Sequence, residues 1–321
     1  MINKYPKKYN IINVDNLTYA GNIENTKSFK NKHNYQFHRC DIANKSAMAY
    51  VFKNNEIDYI VNFAAESHVD RSITNPFEFI NTNIVGTCVL LEEARKYPIK
   101  KFIQISTDEV YGSLGSEGYF TEETPISPNS PYSASKASAD MIVKAYYETY
   151  ELPINITRCT NNYGQYQHPE KLIPKIITNA LRDKEIPIYG NGLNVRDWIH
   201  VEDHCEAIDL VMHMGKIGEI YNIGSHNEKT NVDIVKMILK HLNKPNSLIK
   251  YVEDRKGHDK RYAIEAQKIM NEFLWRPKYD ISTGIKETIE WYVNNKDWWA
   301  KLERCIKRIY GKGEIKSKNY L

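Results

Sequence analysis

Short β-branched runs alternate with longer segments that carry apolar residues every three to four positions, and this alternation constrains the fold more than any other feature of the chain. The runs Tyr9 to Val14, Tyr35 to His38, Tyr59 to Phe63, Lys101 to Ile105 and Ile154 to Arg158 read as strands. Between them Ile23 to Lys32, Lys45 to Asn54, Asn75 to Tyr97 and Ser133 to Tyr150 read as helices. A βαβ series of this kind predicts an α/β fold with a doubly wound parallel sheet. Such a sheet takes its ligand beyond the carboxyl ends of its strands.

Those strand ends carry suitable groups. Asp15 follows the first run, where a carboxylate can accept hydrogen bonds from ribose hydroxyls, and Asp41-Ile42 follows the second, where a carboxylate and a backbone amide can meet an adenine edge. Ala64-Ala65-Glu66-Ser67-His68 ends the third, its small residues letting a ligand approach the backbone. Together these ends describe a dinucleotide groove.

The fourth run delivers Thr107-Asp108-Glu109, and Pro128-Asn129-Ser130-Pro131 then punctuates the chain before a helix opening near Tyr132. Tyr132 and Lys136, four residues apart, share one helix face. The Lys136 ammonium is therefore expected to lower the Tyr132 phenol below its ordinary value of about 10, toward a usable base. An acid, a base and a tyrosine–lysine pair on consecutive elements suit oxidation followed by elimination. Adjacent strand residues point to opposite faces, so Asp108 and Glu109 are expected just past the strand end.

Beyond about residue 165 the pattern loosens into Pro-punctuated helices and short strands, where the variable partner of the reaction is expected to bind. Arg196, Arg255, His258 and Arg261 are the candidate diphosphate ligands, since guanidinium forks match phosphate oxygens. The near balance of 44 basic and 40 acidic residues, a formal charge of +4, favours a phosphate-bearing ligand only weakly. The dense basic stretch Lys301 to Lys318 reads as a solvated end, and no nucleic-acid partner is expected. Cys40, Cys88, Cys159, Cys205 and Cys305 show no metal-ligand spacing, so no metal is expected and the cysteines read as small buried residues of a reducing compartment. No apolar run has the length of a membrane span and Met1 to Pro6 has no signal-peptide core; no membrane association and a cytoplasmic location are expected.

The motifs Leu17-Thr18-Tyr19-Ala20-Gly21-Asn22, Phe63 to Ser72, Asn161-Asn162-Tyr163-Gly164, Gln167 to Pro174 and Gly257-His258-Asp259 resemble, nearly end to end, the dTDP-glucose 4,6-dehydratases of the extended short-chain dehydrogenase/reductase superfamily. The resemblance implies NAD as cofactor and a nucleotide sugar, dTDP-glucose, as substrate. It implies that Tyr132 removes the O4 proton, that Lys136 partners it and anchors the ribose, and that Thr107 orients O4. Glu109 takes the C5 proton and Asp108 protonates the departing C6 hydroxyl, which needs Asp108 protonated near neutrality.

By the same resemblance NAD is lined by Asp15, Asn16, Leu17, Thr18, Asp41, Ile42, Ala64, Ala65, Glu66, Ser67, His68, Thr82, Tyr132, Lys136 and Asn162. The nucleotide sugar faces His68, Thr107, Asn161, Lys171, Leu172, Pro187, Ile188, Tyr189, Arg196, Asn231, Asp254, Arg255 and His258. Residues 1–165 are expected to form the NAD-binding unit, with about 194–228 returning to it, and 166–321 mainly the nucleotide-sugar unit. A homodimer through paired helices is implied. Gln165 and Lys256 stand where the family usually has proline, a change expected to alter loop stiffness more than chemistry.

One departure is large. Family members begin with a strand and a G-x-x-G-x-x-G turn whose amides receive the pyrophosphate, whereas here no glycine precedes Gly21 and Gly112, Gly115 and Gly118 lie in the wrong loop. About 25 residues of strand, turn and helix are expected to be missing, through a misread start or a truncation. The sheet is then expected to show two unpaired edges. Three readings stay open: the dehydratase, a sibling epimerase or decarboxylase that needs no Asp-Glu pair, and an inactive remnant. So does the choice between dTDP and UDP, which differ by one methyl group.

Overall fold

The computed structural model describes residues 1–310, with side chains through residue 304. The basic stretch Lys301 to Lys318 therefore lies largely outside the described residues, as does the side chain of Cys305. Eleven strands are described: β1 Ile11–Asp15, β2 Tyr35–Arg39, β3 Tyr59–Asn62, β4 Lys101–Thr107, β5 Ile154–Cys159, β6 Asn161–Tyr163, β7 Ile186–Tyr189, β8 Val195–His200, β9 Ile220–Ile223, β10 Glu228–Thr230 and β11 Ile249–Val252. The α-helices are α1 Lys45–Lys53, α2 Val69–Thr74, α3 Pro76–Phe79, α4 Thr87–Ala94, α5 Pro131–Tyr150, α6 Leu172–Ala180, α7 Val201–Met214, α8 Asn231–His241, α9 Gln267–Phe273, α10 Ile281–Asn294 and α11 Lys296–Tyr310.

The main sheet has the order β3-β4-β5-β9, all parallel, with Thr107 opposite Cys159 in the central ladder. Every residue of β4 and β5 is buried, as expected of strands covered by helices on both faces. Three smaller sheets accompany it: β1-β2 parallel, β6-β8-β10, and β7-β11 parallel. Tyr163, Ile173, Ile188, Trp198 and Val235 belong to a second core, around α6, α8 and α10.

The parallel sheet is divided between β1 and β3. Ile12 and Val14 of β1 pack into the same apolar cluster as Ile60 of β3, yet no ladder joins the two strands. Ladder hydrogen bonds from Ile11 N to Asn34 O (2.9 Å) and from Lys101 N to Asp58 O (3.3 Å) fix which residues face their partner strands. In a parallel ladder alternate residues bond to opposite sides. Ile12 and Val14 on β1, and Tyr59 and Val61 on β3, therefore turn their backbone groups toward the division. Neither strand is fully buried.

The expected elements shift in three places. Tyr9 and Asn10 fall outside the ladder, because the Tyr9 phenol turns onto His213 of α7 at 2.7 Å. Ile23 to Lys32 is a 3₁₀ helix over Ile23–Phe29 with no buried residue; without an apolar face to bury, tertiary packing cannot stabilise an α-helix there. Asn75 to Tyr97 is interrupted by a π-helical turn, Ile80–Gly86, between α3 and α4. That turn places buried Asn83 where it brackets the Glu66 backbone, accepting from its N–H at 2.8 Å and donating to its carbonyl at 3.0 Å.

Candidate active site

Asp108 and Glu109 leave the strand at once. β4 ends at Thr107, and Asp108–Tyr111 forms a 3₁₀ turn capped by Thr107 Oγ1, which accepts from the Glu109 amide at 3.3 Å. The tight turn relieves the opposite-face geometry that a continued strand would impose. Gly112 ends it at φ 89°, where an added Cβ would sit 2.3 Å from the Ser127 carbonyl oxygen. Asp108 is buried and Oδ1 accepts from Thr107 Oγ1 at 3.2 Å. Burial first, and then the Glu109 carboxylate, hold Asp108 well above the ordinary carboxylate range. Burial also raises Glu109, with Arg255 and Arg196 opposing the rise.

Tyr132 and Lys136 come from α5, which opens at Pro131, two residues before the predicted start at Ser133. Ser130 caps it reciprocally with Ser133 and Pro131 occupies the first turn. Both side chains are buried. Lys136 Nζ donates to the Ile105 carbonyl at 2.7 Å. The expected activation of the phenol is not present in this arrangement. Burial, and next the Glu109 carboxylate, push Tyr132 well above 10, and Thr107 is the hydrogen-bonding group that pulls it down. Burial also lowers the Lys136 ammonium. Thr107, Asp108, Glu109 and Tyr132 thus share one desolvated pocket at the carboxyl ends of β4 and β5.

Most of the expected cofactor residues lie at the carboxyl ends of β1 to β3. Asp15 is exposed and accepts from the Leu17 amide at 2.7 Å, with Leu17 at φ 52°. Asp41 accepts from Ala43 N at 2.8 Å and from Asn16 Nδ2 at 3.3 Å, and Thr18 is exposed beside it in the chain. The Ile42 side chain is core, leaving its backbone for a ligand. Ala64 and Ala65 are half-buried, Glu66 is buried with Oε2 unpartnered and its carboxyl raised by burial, and Thr82 lies half-buried in the π turn. Asn162 binds His204 Nδ1 at 2.8 Å. These small residues, open carboxylates and orphaned polar atoms fit the two ends of a dinucleotide; the described residues offer no glycine-rich amide turn for its pyrophosphate.

Several expected substrate residues already have polar partners in the cleft. Lys171 Nζ donates to Ser67 O at 2.7 Å, Tyr189 donates to Asp70 Oδ2 at 2.9 Å, and Arg255 stands 3.9 Å from Asp70 Oδ1. His68 Nε2 is 3.9 Å from Glu170, whose Oε1 accepts from Tyr19 at 2.9 Å. Asp254 and His258 pair at 2.6 Å, and burial holds His258 down at about 4. Asn161 Oδ1 and Asn231 Oδ1 are buried without partners. Leu172 opens α6, and Pro187 and Tyr189 share one face of β7.

Three assignments need correction or refinement. The Ile188 side chain is 2% exposed and belongs to the second core, because strand alternation turns it away from Pro187 and Tyr189. Arg261 is committed to Glu228 through two hydrogen bonds of 2.7 and 2.9 Å and is not a free phosphate fork. Arg196 is buried, donates to the Asp259 carbonyl at 3.0 Å and acts electrostatically on Asp108 and Glu109. Sequence reasoning missed Asp70 and Glu170 as partners in the cleft. Both lie inside motifs that carry the resemblance, and their charge beside expected ligands was the available signal.

The family model described as GDP-mannose 4,6 dehydratase matches residues 1–288. A dTDP-glucose 4,6-dehydratase of Escherichia coli is 50% identical over 91% of this chain and 89% of its own length. One of Xanthomonas campestris is 46% identical over 90% and 87%. The crystal structure of a dTDP-glucose 4,6-dehydratase of Bacillus anthracis in complex with NAD superposes with a TM-score of 0.87 at 55% identity, covering 94% of this chain and 93% of that one. A Streptomyces venezuelae counterpart crystallised with NAD gives 0.90 at 44% identity, over 93% and 92%.

Proposed function

The chain belongs to the dTDP-glucose 4,6-dehydratases of the extended short-chain dehydrogenase/reductase superfamily, and on that premise we propose that it converts dTDP-glucose to dTDP-4-keto-6-deoxyglucose and water. The observation that carries this reading is the Asp108-Glu109 pair on a turn that shares a pocket with Tyr132. A 4-epimerase leaves the C5 proton in place and expels no water, and so has no use for two carboxyl groups there.

NAD, when bound, accepts a hydride from C4 of the glucosyl ring and returns one to C6. Tyr132 removes the O4 proton, with Thr107 Oγ1 placed to orient that oxygen. Glu109, ionised, takes the C5 proton that a C4 ketone acidifies. Asp108, kept protonated by burial and by its neighbour's charge, delivers a proton to the departing C6 hydroxyl. Asp15, Asn16, Leu17, Thr18, Asp41, Ala64, Ala65, Ser67, Thr82 and Asn162 hold the cofactor. Lys171, Tyr189, Asn231, Arg255 and His258 hold the nucleotide sugar, Arg255 as a guanidinium fork for phosphate.

We assign the cofactor to the unit of residues 1–165 with the later strand β9, which extends the same sheet, and the sugar nucleotide mainly to the rest. The protein is read as cytoplasmic; no described helix is long and apolar enough to cross a membrane. It is also read as a homodimer, its partner covering the exposed Phe77, Ile80, Val85 and Met141 of the α3 to α5 face. The test is incubation of the purified chain with dTDP-glucose and with UDP-glucose. Formation of the 4-keto-6-deoxy product from the first supports the proposal, and a 4-epimer in its place overturns it.

A further inference from the structure

Tyr132, Lys136 and Asp140 recur at four-residue intervals on α5 and so share one helix face. All three are buried, Asp140 to 1% exposure. A buried carboxylate is costly unless paired. Its partner is Arg158 of β5, whose Nε donates to Asp140 Oδ2 at 3.0 Å with both side chains out of solvent. The other oxygen, Oδ1, is buried without a close hydrogen-bond partner, the Ser106 side chain facing the carboxylate, and Lys136 stands one helical turn away. Arg158 Nη1 continues to the Tyr111 hydroxyl at 3.0 Å, which donates to Asn222 Oδ1 at 2.8 Å. Tyr111 closes the turn that begins at Asp108, so one buried network ties the tyrosine–lysine helix to the acid–base turn.

We infer that Asp140 is a positioning residue: held by Arg158, it supplies the counter-charge that keeps the Lys136 ammonium charged beside Tyr132. A lysine this desolvated favours its neutral form, and a carboxylate one turn along its own helix opposes that. Arg158 has the complementary part. Two cations share one anion, so Lys136, Asp140 and Arg158 together carry one net positive charge, where an isolated lysine–aspartate pair would be neutral.

The surrounding charges leave this arrangement without a substitute. Lys136 also faces Cys159 of β5 and the Ile105 carbonyl of β4. Asp140 also faces Ser106 of β4, and Arg158 acts on Glu122. Tyr132 faces Glu109, Asp108, Thr107 and Cys159. Burial pushes the Cys159 thiol up to about 12, so it brings no anion at neutral pH. Burial lowers Lys136, and Asp140 is the leading charge that opposes this.

The inference rests on the reading of Tyr132 and Lys136 as base and partner, and its test does not need turnover. The titration of Lys136 is followed by NMR of the chain labelled at the lysine side chain, its resonance identified by its loss in Lys136→Arg. Asp140→Asn is expected to lower the midpoint by about one unit or more, and Arg158→Gln, which removes the cation that keeps Asp140 ionised, to lower it in the same direction. Asp140→Glu is expected to restore the wild-type midpoint. An unmoved or raised midpoint overturns the inference, and either folded variant alone suffices. In turnover, Asp140→Asn should slow hydride removal from dTDP-glucose about tenfold or more at unchanged KM. A wild-type chain that made no product would sink the functional reading while the titration still judged Asp140.

Discussion

Tyr189 donates its phenolic proton to Asp70 Oδ2 at 2.9 Å, so a carboxylate from the start of α2 occupies a group expected to face the substrate. The same carboxylate lies 3.9 Å from Arg255. Carboxylate and phosphate oxygens compete for such donors, and a bound diphosphate must either displace Asp70 or bear its repulsion. Asp70→Asn is therefore expected to tighten dTDP binding about two- to fivefold, the size of a part-exposed charge pair. Calorimetric titration with dTDP checks it. Weaker binding in the variant would make Asp70 a support of the site and not a competitor.

The two halves of the proposed reaction separate by substitution. Tyr132→Phe is expected to slow removal of the C4 hydride by about 10² to 10⁴, the usual worth of a positioned acid–base group. Glu109→Gln should leave that removal intact and block loss of water. Rapid-mixing absorbance of reduced nicotinamide follows the first event, and mass spectrometry of the sugar in heavy water follows C5 exchange and product. A Glu109→Gln chain that makes the 6-deoxy product at the normal rate would refute the assignment.

Much of the site was legible because its signals are local. The β4 run, the Ser130-Pro131 cap and the Tyr132-Lys136 spacing each lie within a few residues, and the structure brings them together in one pocket. Local signals also misled. Ile23 to Lys32 has helical spacing but no apolar face to bury, and the π turn at Ile80–Gly86 keeps an apolar rhythm that reads as plain helix. Contacts between distant residues were out of reach. Nothing near Arg261 announces Glu228, and nothing near Tyr189 announces Asp70, 119 residues earlier. The state of Tyr132 lies beyond the sequence for the same reason: spacing reveals Lys136, whereas the burial and the Glu109 charge that raise the phenol are tertiary.

The two carboxyl groups set the pH dependence of elimination. Asp108 acts protonated, and its folded value is raised well above 3.8, so its contribution is present at low pH and lost as pH rises through that value. Glu109 acts ionised, and its value is raised from 4.5, so activity is lost as pH falls through it. A bell-shaped rate profile for water loss follows, with both limbs belonging to the coupled pair. Asp108→Asn should lower the rate and remove the alkaline limb; retention of that limb would assign the acid elsewhere. The check is single-turnover release of water-loss product across pH.

The division between β1 and β3 has its own signature. Ile12, Val14, Tyr59 and Val61 turn their amides toward it, while Ile11, Ile60 and Asn62 turn theirs into ladders. An amide without a ladder partner exchanges with solvent far faster than one in a buried central strand. Residue-resolved hydrogen exchange should therefore alternate along β1 and β3, with fast amides at the four division-facing positions and slow ones between them. β4 and β5, paired on both sides, should be slow throughout. Asp15 ends β1 and the loop that carries Ala64-Ala65 follows β3, so the same openness reaches the proposed cofactor groove. Uniformly slow exchange in β1 and β3 would mean that a further segment pairs with them in solution, and it would move the search for the pyrophosphate cradle to that segment.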